Sequence, residues 1–154
     1  MSYNNLQKGR YSQFGRAYFI TTVTEKRYPW FNELGNARLL VKQLRRVHDD
    51  GEVHSLAWVI MPDHLHWLFQ LGEVAELSTV IKCLKARTAQ DINRRHGRRG
   101  SFWQKTFHDH GLRDGEDIRG FARYMVANPL RAGLVENIGD YPHWDAIWLN
   151  DKKP

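Results

Sequence analysis

The sequence predicts an α+β domain of the ferredoxin-like, split-βαβ kind: an antiparallel sheet with helices on one face, plus a C-terminal tyrosine-bearing helix. Three observations carry this reading. Two runs rich in β-branched and aromatic residues, 53–60 and 64–71, are joined only by Met61-Pro62-Asp63, a connection that allows nothing but an antiparallel hairpin. Apolar stripes of helical period stand on either side of that hairpin. A further β-like run then lies outside each helix, completing the order β-α-β-β-α-β before the last helix.

Taken in order, residues 17–24 (AYFITTVT) form the first strand. Ala37, Leu40, Val41 and Leu44 give residues 35–50 an amphipathic stripe, with Asn36 placed to cap it. The hairpin follows. Leu77, Val80, Ile81 and Leu84 share a face of a second helix over 77–93, which the Gly-Arg-Arg-Gly stretch at 97–100 ends. Cys83, the one cysteine, excludes an internal disulfide and reads as a small buried apolar residue. A fourth strand is expected over 101–110. Asp114 is the expected cap of a third helix that runs to about Asn128, because Pro129 disfavours helical geometry before it. Residues 141–149, with Trp144 and Trp148, read as an irregular cover.

The 154 residues suffice for one domain, 1–154, with a basic arm over 1–16 and a tail over 137–154. No apolar run reaches the length of a membrane span and no secretory h-region opens the chain, so a cytoplasmic, nucleoid-associated protein is expected. The net charge is +6 and the isoelectric point about 9.6, an imbalance that suits a polyanionic partner. Between residues 82 and 105, Lys82, Lys85, Arg87, Arg94, Arg95, Arg98, Arg99 and Lys105 stand against a single acid, Asp91. Such clustering is either a solvated helix face or a phosphate-binding surface.

The hairpin's second strand opens His64-Leu65-His66. Residues two apart on a strand face the same way, so both imidazoles project together and Leu65 projects opposite. Paired imidazoles begin a metal site, yet His108-Asp109-His110 has the same spacing, and either pair also suits surface histidines. On the third helix, Ile118, Phe121, Ala122 and Met125 form the core stripe, while Tyr124 and Asn128 share a face on its margin. That position suits a nucleophilic hydroxyl and a ligand amide; it equally suits an interfacial aromatic and a helix-ending asparagine.

VIMPDHLHWLFQL resembles the His-hydrophobe-His strand of the single-tyrosine HUH transposases. RYMVANPLRAGLV with DYPHWDA, and FWQKTF before them, resemble the REP-associated tyrosine transposase branch. The resemblance runs over about residues 18–148. It implies that His64 and His66 are metal ligands, that Tyr124 is the nucleophile, and that Asn128 is a helix-borne third ligand where insertion-sequence relatives carry glutamine. Asp63 stands where relatives often have asparagine, either tuning the metal or capping the turn. The implied activity is a metal-dependent single-strand DNA endonuclease and strand transferase working through a 5′-phosphotyrosine, with Mg²⁺ or Mn²⁺ as cofactor. The implied partner is a single-stranded DNA hairpin, REP-like, met by a monomer or homodimer. Lys8, Arg10 and Arg16 in the arm and the 82–105 cluster are the expected DNA contacts. Trp67 and Trp103 are candidates for stacking on unpaired bases, with core packing as the alternative. Two rival functions share these residues: an inactive ferredoxin-like nucleic-acid-binding module, and a metal-dependent hydrolase using His64, His66 and His108 or His110 without a covalent intermediate.

Overall fold

The computed structural model describes residues 15–147. Strand β1 (Ala17–Val23) leads through a short loop to helix α1 (Leu34–Asp49), then to the hairpin β2 (Val53–Met61) and β3 (His64–Leu71). Helix α2 (Leu77–Arg95), strand β4 (His108–Gly111), helix α3 (Ile118–Val126), the one-turn helix α4 (Asn128–Arg131) and strand β5 (Trp144–Ala146) follow. The sheet order is β4-β1-β3-β2-β5, and every pairing is antiparallel. This is the expected split-βαβ core with one strand added at the β2 edge. Among the described residues no helix is long and apolar enough to cross a membrane.

Alternation along β3 divides the interior in two. Leu65, Trp67, Phe69 and Leu71 face one side, where Leu40, Leu44 and Val47 of α1 and Val80, Ile81 and Leu84 of α2 cover them. On the opposite face Leu68 meets Val59 and Met61 of β2 and, from α3, Ala122 and Met125. Helix α3 therefore covers the face of the sheet that α1 and α2 leave open. The stripe Ile118, Phe121, Ala122 and Met125 is the one that packs, as its spacing predicts.

Several expectations are corrected. The fourth strand begins at His108, not residue 101. Phe102 and Trp103 are both buried, but the segment holding them crosses the end of β1 with one isolated bridge, Thr24 to Trp103, and no continuous ladder. Asn36 does not cap α1. It lies buried inside the first turn, donating from Nδ2 to the Trp30 carbonyl at 2.8 Å and accepting at Oδ1 from Arg95 at 2.7 Å. Asp117 rather than Asp114 caps α3, accepting from the Gly120 amide at 2.9 Å. The third helix is broken at Ala127, so Asn128 opens α4 with the donor-less Pro129 beside it. The tail is not wholly irregular: β5 pairs with β2, and Tyr141 Oη donates to the Ile60 carbonyl at 2.5 Å. Cys83 is only half-buried, at the edge of the α2 stripe. Trp148 lies outside the described residues.

Candidate active site

His64 and His66 project from the start of the central strand onto the face covered by α3, opposite Leu65. Their ring centroids are 4.6 Å apart at 77°. Each ring is held through the same nitrogen. The Asp63 carboxylate can only accept, so His64 Nδ1 carries a proton and donates to Oδ1 at 2.6 Å. His66 Nδ1 meets Thr21 Oγ1, directly across the β1 pairing, at 2.8 Å. The Asp63 contact leaves His64 Nε2 available to a metal, and the Thr21 hydroxyl, which can accept as well as donate, permits the same tautomer at His66 while fixing its orientation. The donor set fits a divalent ion that accepts imidazole.

Burial, then the charges of His64 and Arg131, hold His66 down to about 3, so it is a neutral donor across the physiological range. Burial alone would raise Asp63, but the His64 hydrogen bond and charge, followed by those of Arg27, outweigh it and keep the carboxyl below its ordinary value. Arg27 reaches Asp63 Oδ2 at 3.2 Å from a backbone with φ +52°, next to Lys26 at +55°. Two adjacent non-glycine residues in the left-handed region cost of order 1–2 kcal/mol each. Phe19 ties the histidines to the helix above them: it stacks on His66 at 5.4 Å and touches Phe121 at 5.6 Å.

Tyr124 stands on α3 with 67% of its surface exposed. The Arg131 guanidinium lies over its ring, 3.7 Å from the centroid, and donates from Nη2 to Asn128 Oδ1. Tyr124, Asn128 and Arg131 thus form one cluster whose charge reaches His66. The other histidine pair shares the sheet face, since His108 pairs with Thr21 and His110 with Phe19. It forms no site with the first pair: His110 stacks on Phe121 at 5.8 Å and lies 3.5 Å from Glu116 Oε2. Among the described residues no three His, Cys, Asp or Glu side chains gather as a metal site, so neither His108 nor His110 completes one with His64 and His66 here. Sequence reasoning missed Thr21, Arg27 and Arg131. Thr21 is findable in principle from hairpin register; the Arg27 approach rests on a strained loop without glycine and leaves no signal.

The family model described as "Transposase IS200 like" matches residues 12–114, two thirds of the chain and the whole histidine strand. The chain belongs to the IS200-like transposase family. It is accordingly a single-tyrosine transposase, although Tyr124 and Asn128 lie beyond the matched stretch. A Haemophilus influenzae protein named as a REP-associated tyrosine transposase is 28% identical over 144 residues, covering 84% of this chain and 78% of that protein. The REP-associated tyrosine transposase of Escherichia coli is 26% identical over 106 residues, covering 68% and 61%. A solved REP-associated tyrosine transposase bound to a REP hairpin superposes with a TM-score of 0.74 at 24% identity, covering 88% of this chain and 79% of that one. The branch the motifs resemble is the branch to which these relatives belong.

The basic surface of this transposase is smaller than its sequence implies. Lys85 is half-buried and donates to the Gln104 carbonyl at 2.7 Å, and burial lowers its pKa. Arg95 is held by Glu33 and Asn36, and Arg98 by Asn93 and the Ser101 carbonyl while lying over Trp30. Arg16 donates to the carbonyls of Leu112 and Gly111 rather than extending as an arm. Lys82, Arg87, Arg94, Arg99 and Lys105 remain exposed, and Lys8 and Arg10 lie outside the described residues. Trp67 and Trp103 are buried in the core and offer no stacking face. An Arg94→Ala, Arg99→Ala double variant should therefore shallow the log–log salt dependence of single-strand binding by about 0.7 for each phosphate no longer neutralised. The Arg95→Ala, Arg98→Ala pair should instead lower the melting temperature. Salt titrations and thermal melts of both separate the two, and an unchanged slope in the first variant would show its arginines to be merely solvated.

Proposed function

We propose that the chain cuts and rejoins single-stranded DNA at the foot of a hairpin, with Tyr124 as nucleophile and His64 and His66 as ligands of a divalent metal. One observation carries the reading: two imidazoles with both Nδ1 atoms engaged share a sheet face with the helix that presents an exposed tyrosine. The hairpin partner is supported by the solved relative that is bound to one.

Attack by Tyr124 Oη on a backbone phosphate leaves a 5′-phosphotyrosine and a free 3′-hydroxyl. The phosphodiester is conserved in the covalent link, so a second 3′-hydroxyl can reverse the step and join strands. Mg²⁺ or Mn²⁺ supplies Lewis-acid polarisation of a phosphoryl oxygen when bound, with Mn²⁺ the better match to imidazole. Thr21 and Asp63 keep the two rings oriented. Asn128 is a third ligand only when its Oδ1, which Arg131 engages here, is free.

Incubating the protein with a labelled single-stranded hairpin and Mn²⁺ tests this on a denaturing gel. A slow protein–DNA band accompanied by a shorter strand with a free 3′-hydroxyl is expected. Cleavage that leaves free 5′-phosphates and no adduct would mean hydrolysis. Binding without cleavage would mean a module that grips DNA only.

A further inference from the structure

Arg131 is an arginine without an acid. Among the described residues Arg27, Arg46, Arg95 and Arg123 each pair with a carboxylate, whereas Arg131, exposed like Arg94 and Arg99, pairs with none and differs from those two in lying against the tyrosine. It nonetheless has partners: its guanidinium carbon lies over the Tyr124 ring, 3.7 Å from the centroid, and one of its five N–H donors goes to Asn128. Its charge also reaches His66, which projects onto the sheet face that α3 covers. An unpaired planar cation, lying beside the tyrosine and near the imidazole pair, has donors to spare for a group with two adjacent anionic oxygens.

We propose that Arg131 is a catalytic residue that takes the scissile phosphate, donating N–H bonds to its non-bridging oxygens as Tyr124 attacks; this rests on the reading of Tyr124 as nucleophile. Tyr124 Oη bonds to phosphorus, the P–O3′ bond breaks, and the phenolic proton ends on the departing 3′ oxygen, so no further reactant is required. Arg131 answers the charge that builds on the phosphoryl oxygens during the step. Turning toward the phosphate releases Asn128 Oδ1 from the guanidinium. The Arg131–Asn128 bond is then the resting arrangement, exchanged when DNA arrives.

The test removes charge from each partner separately. Hairpin oligonucleotides carry one neutral methylphosphonate at each linkage of the unpaired foot in turn, and binding is measured without divalent metal so that nothing is cut. One linkage should cost the parent protein about tenfold in affinity, the range of a charged hydrogen bond. The same linkage should cost Arg131→Ala less than twofold, with Arg131→Lys between them. With Mn²⁺, Arg131→Ala should slow cleavage of the ordinary diester about 10²–10³-fold. Thermal melting of Arg131→Ala should match the parent, since the side chain is exposed. The proposal is overturned if no linkage distinguishes parent from Arg131→Ala, whatever either does to cleavage. Should Tyr124→Phe still cleave, the nucleophile is misassigned, while the binding comparison still decides whether Arg131 holds a phosphate.

Discussion

Tyr124→Phe is expected to abolish both strand cleavage and the covalent adduct, lowering the cleavage rate about 10⁴-fold or more, as loss of a nucleophile does. The change deletes one oxygen from a side chain that is two-thirds exposed. The ring remains under Arg131, so the cation–π contact persists and stability should move by less than about 1 kcal/mol. Metal binding and hairpin affinity should be unchanged. The structure sets this tyrosine apart from its neighbours. Tyr18 is fully buried, and Tyr141 donates its hydroxyl to the Ile60 carbonyl while burial pushes it up to about 12. Tyr28 is exposed but packs on Trp30 in the loop before α1. Protease digestion and mass spectrometry of the trapped adduct should place the nucleotide on the Tyr124 peptide. A cleaving Tyr124→Phe protein, or an adduct on Tyr18, Tyr28 or Tyr141, refutes the assignment.

His66→Ala is expected to remove metal binding and cleavage together while sparing hairpin affinity, which on the proposed reading comes from exposed cations away from this site. Mn²⁺ affinity by calorimetry should fall more than about 100-fold, beyond the range seen when only an outer partner of a ligand is removed. A second readout needs neither metal nor DNA. In the folded chain His66 stays neutral to about pH 3, whereas an unfolded chain takes up that proton near 6.5. The unfolded state then binds more protons between those values, so the parent should lose stability as pH falls below 6.5. His66→Ala should flatten this loss, leaving the part due to His143, which burial and Arg38 also hold below the ordinary value. Denaturant melts at pH 7 and pH 5 measure the difference. An equal pH dependence in both proteins would mean that His66 is not held neutral by its surroundings.

Much of this site is legible in the sequence because strand periodicity carries it. The spacing of His64, Leu65 and His66 dictates which side chains share a face, and the three-residue connection dictates the hairpin. The stripe from Ile118 to Met125 likewise predicts which side of α3 is buried, and so where Tyr124 stands. The remainder depends on contacts between distant segments. Nothing local tells Arg95 that Asn36 and Glu33 lie beside it, so in the sequence its charge reads as available. Asn36 reads as a cap for the same reason. Phe102 and Trp103 have strand propensity but pack into the core across the end of β1, a tertiary outcome that propensity does not contain. Pro129 predicts an end to the helix. That the chain resumes helical geometry at once, with Arg131 folded back on Tyr124, follows from a packing that sequence spacing leaves open.

The division of labour along β3 has an evolutionary edge. Its odd positions, Leu65, Trp67 and Phe69, fill the larger core, and its even positions, His64 and His66, carry the candidate chemistry. Gaining or losing one residue in the Pro62-Asp63 turn, with the turn still tight and β3 still between β1 and β2, would rotate the whole set. Imidazoles would enter the apolar interior and Trp67 would move toward the place they left. Substitutions can therefore drift through this strand one side chain at a time, but length changes at the turn cannot. Descendants should vary in what flanks the histidines far more freely than in how many residues separate them from β2.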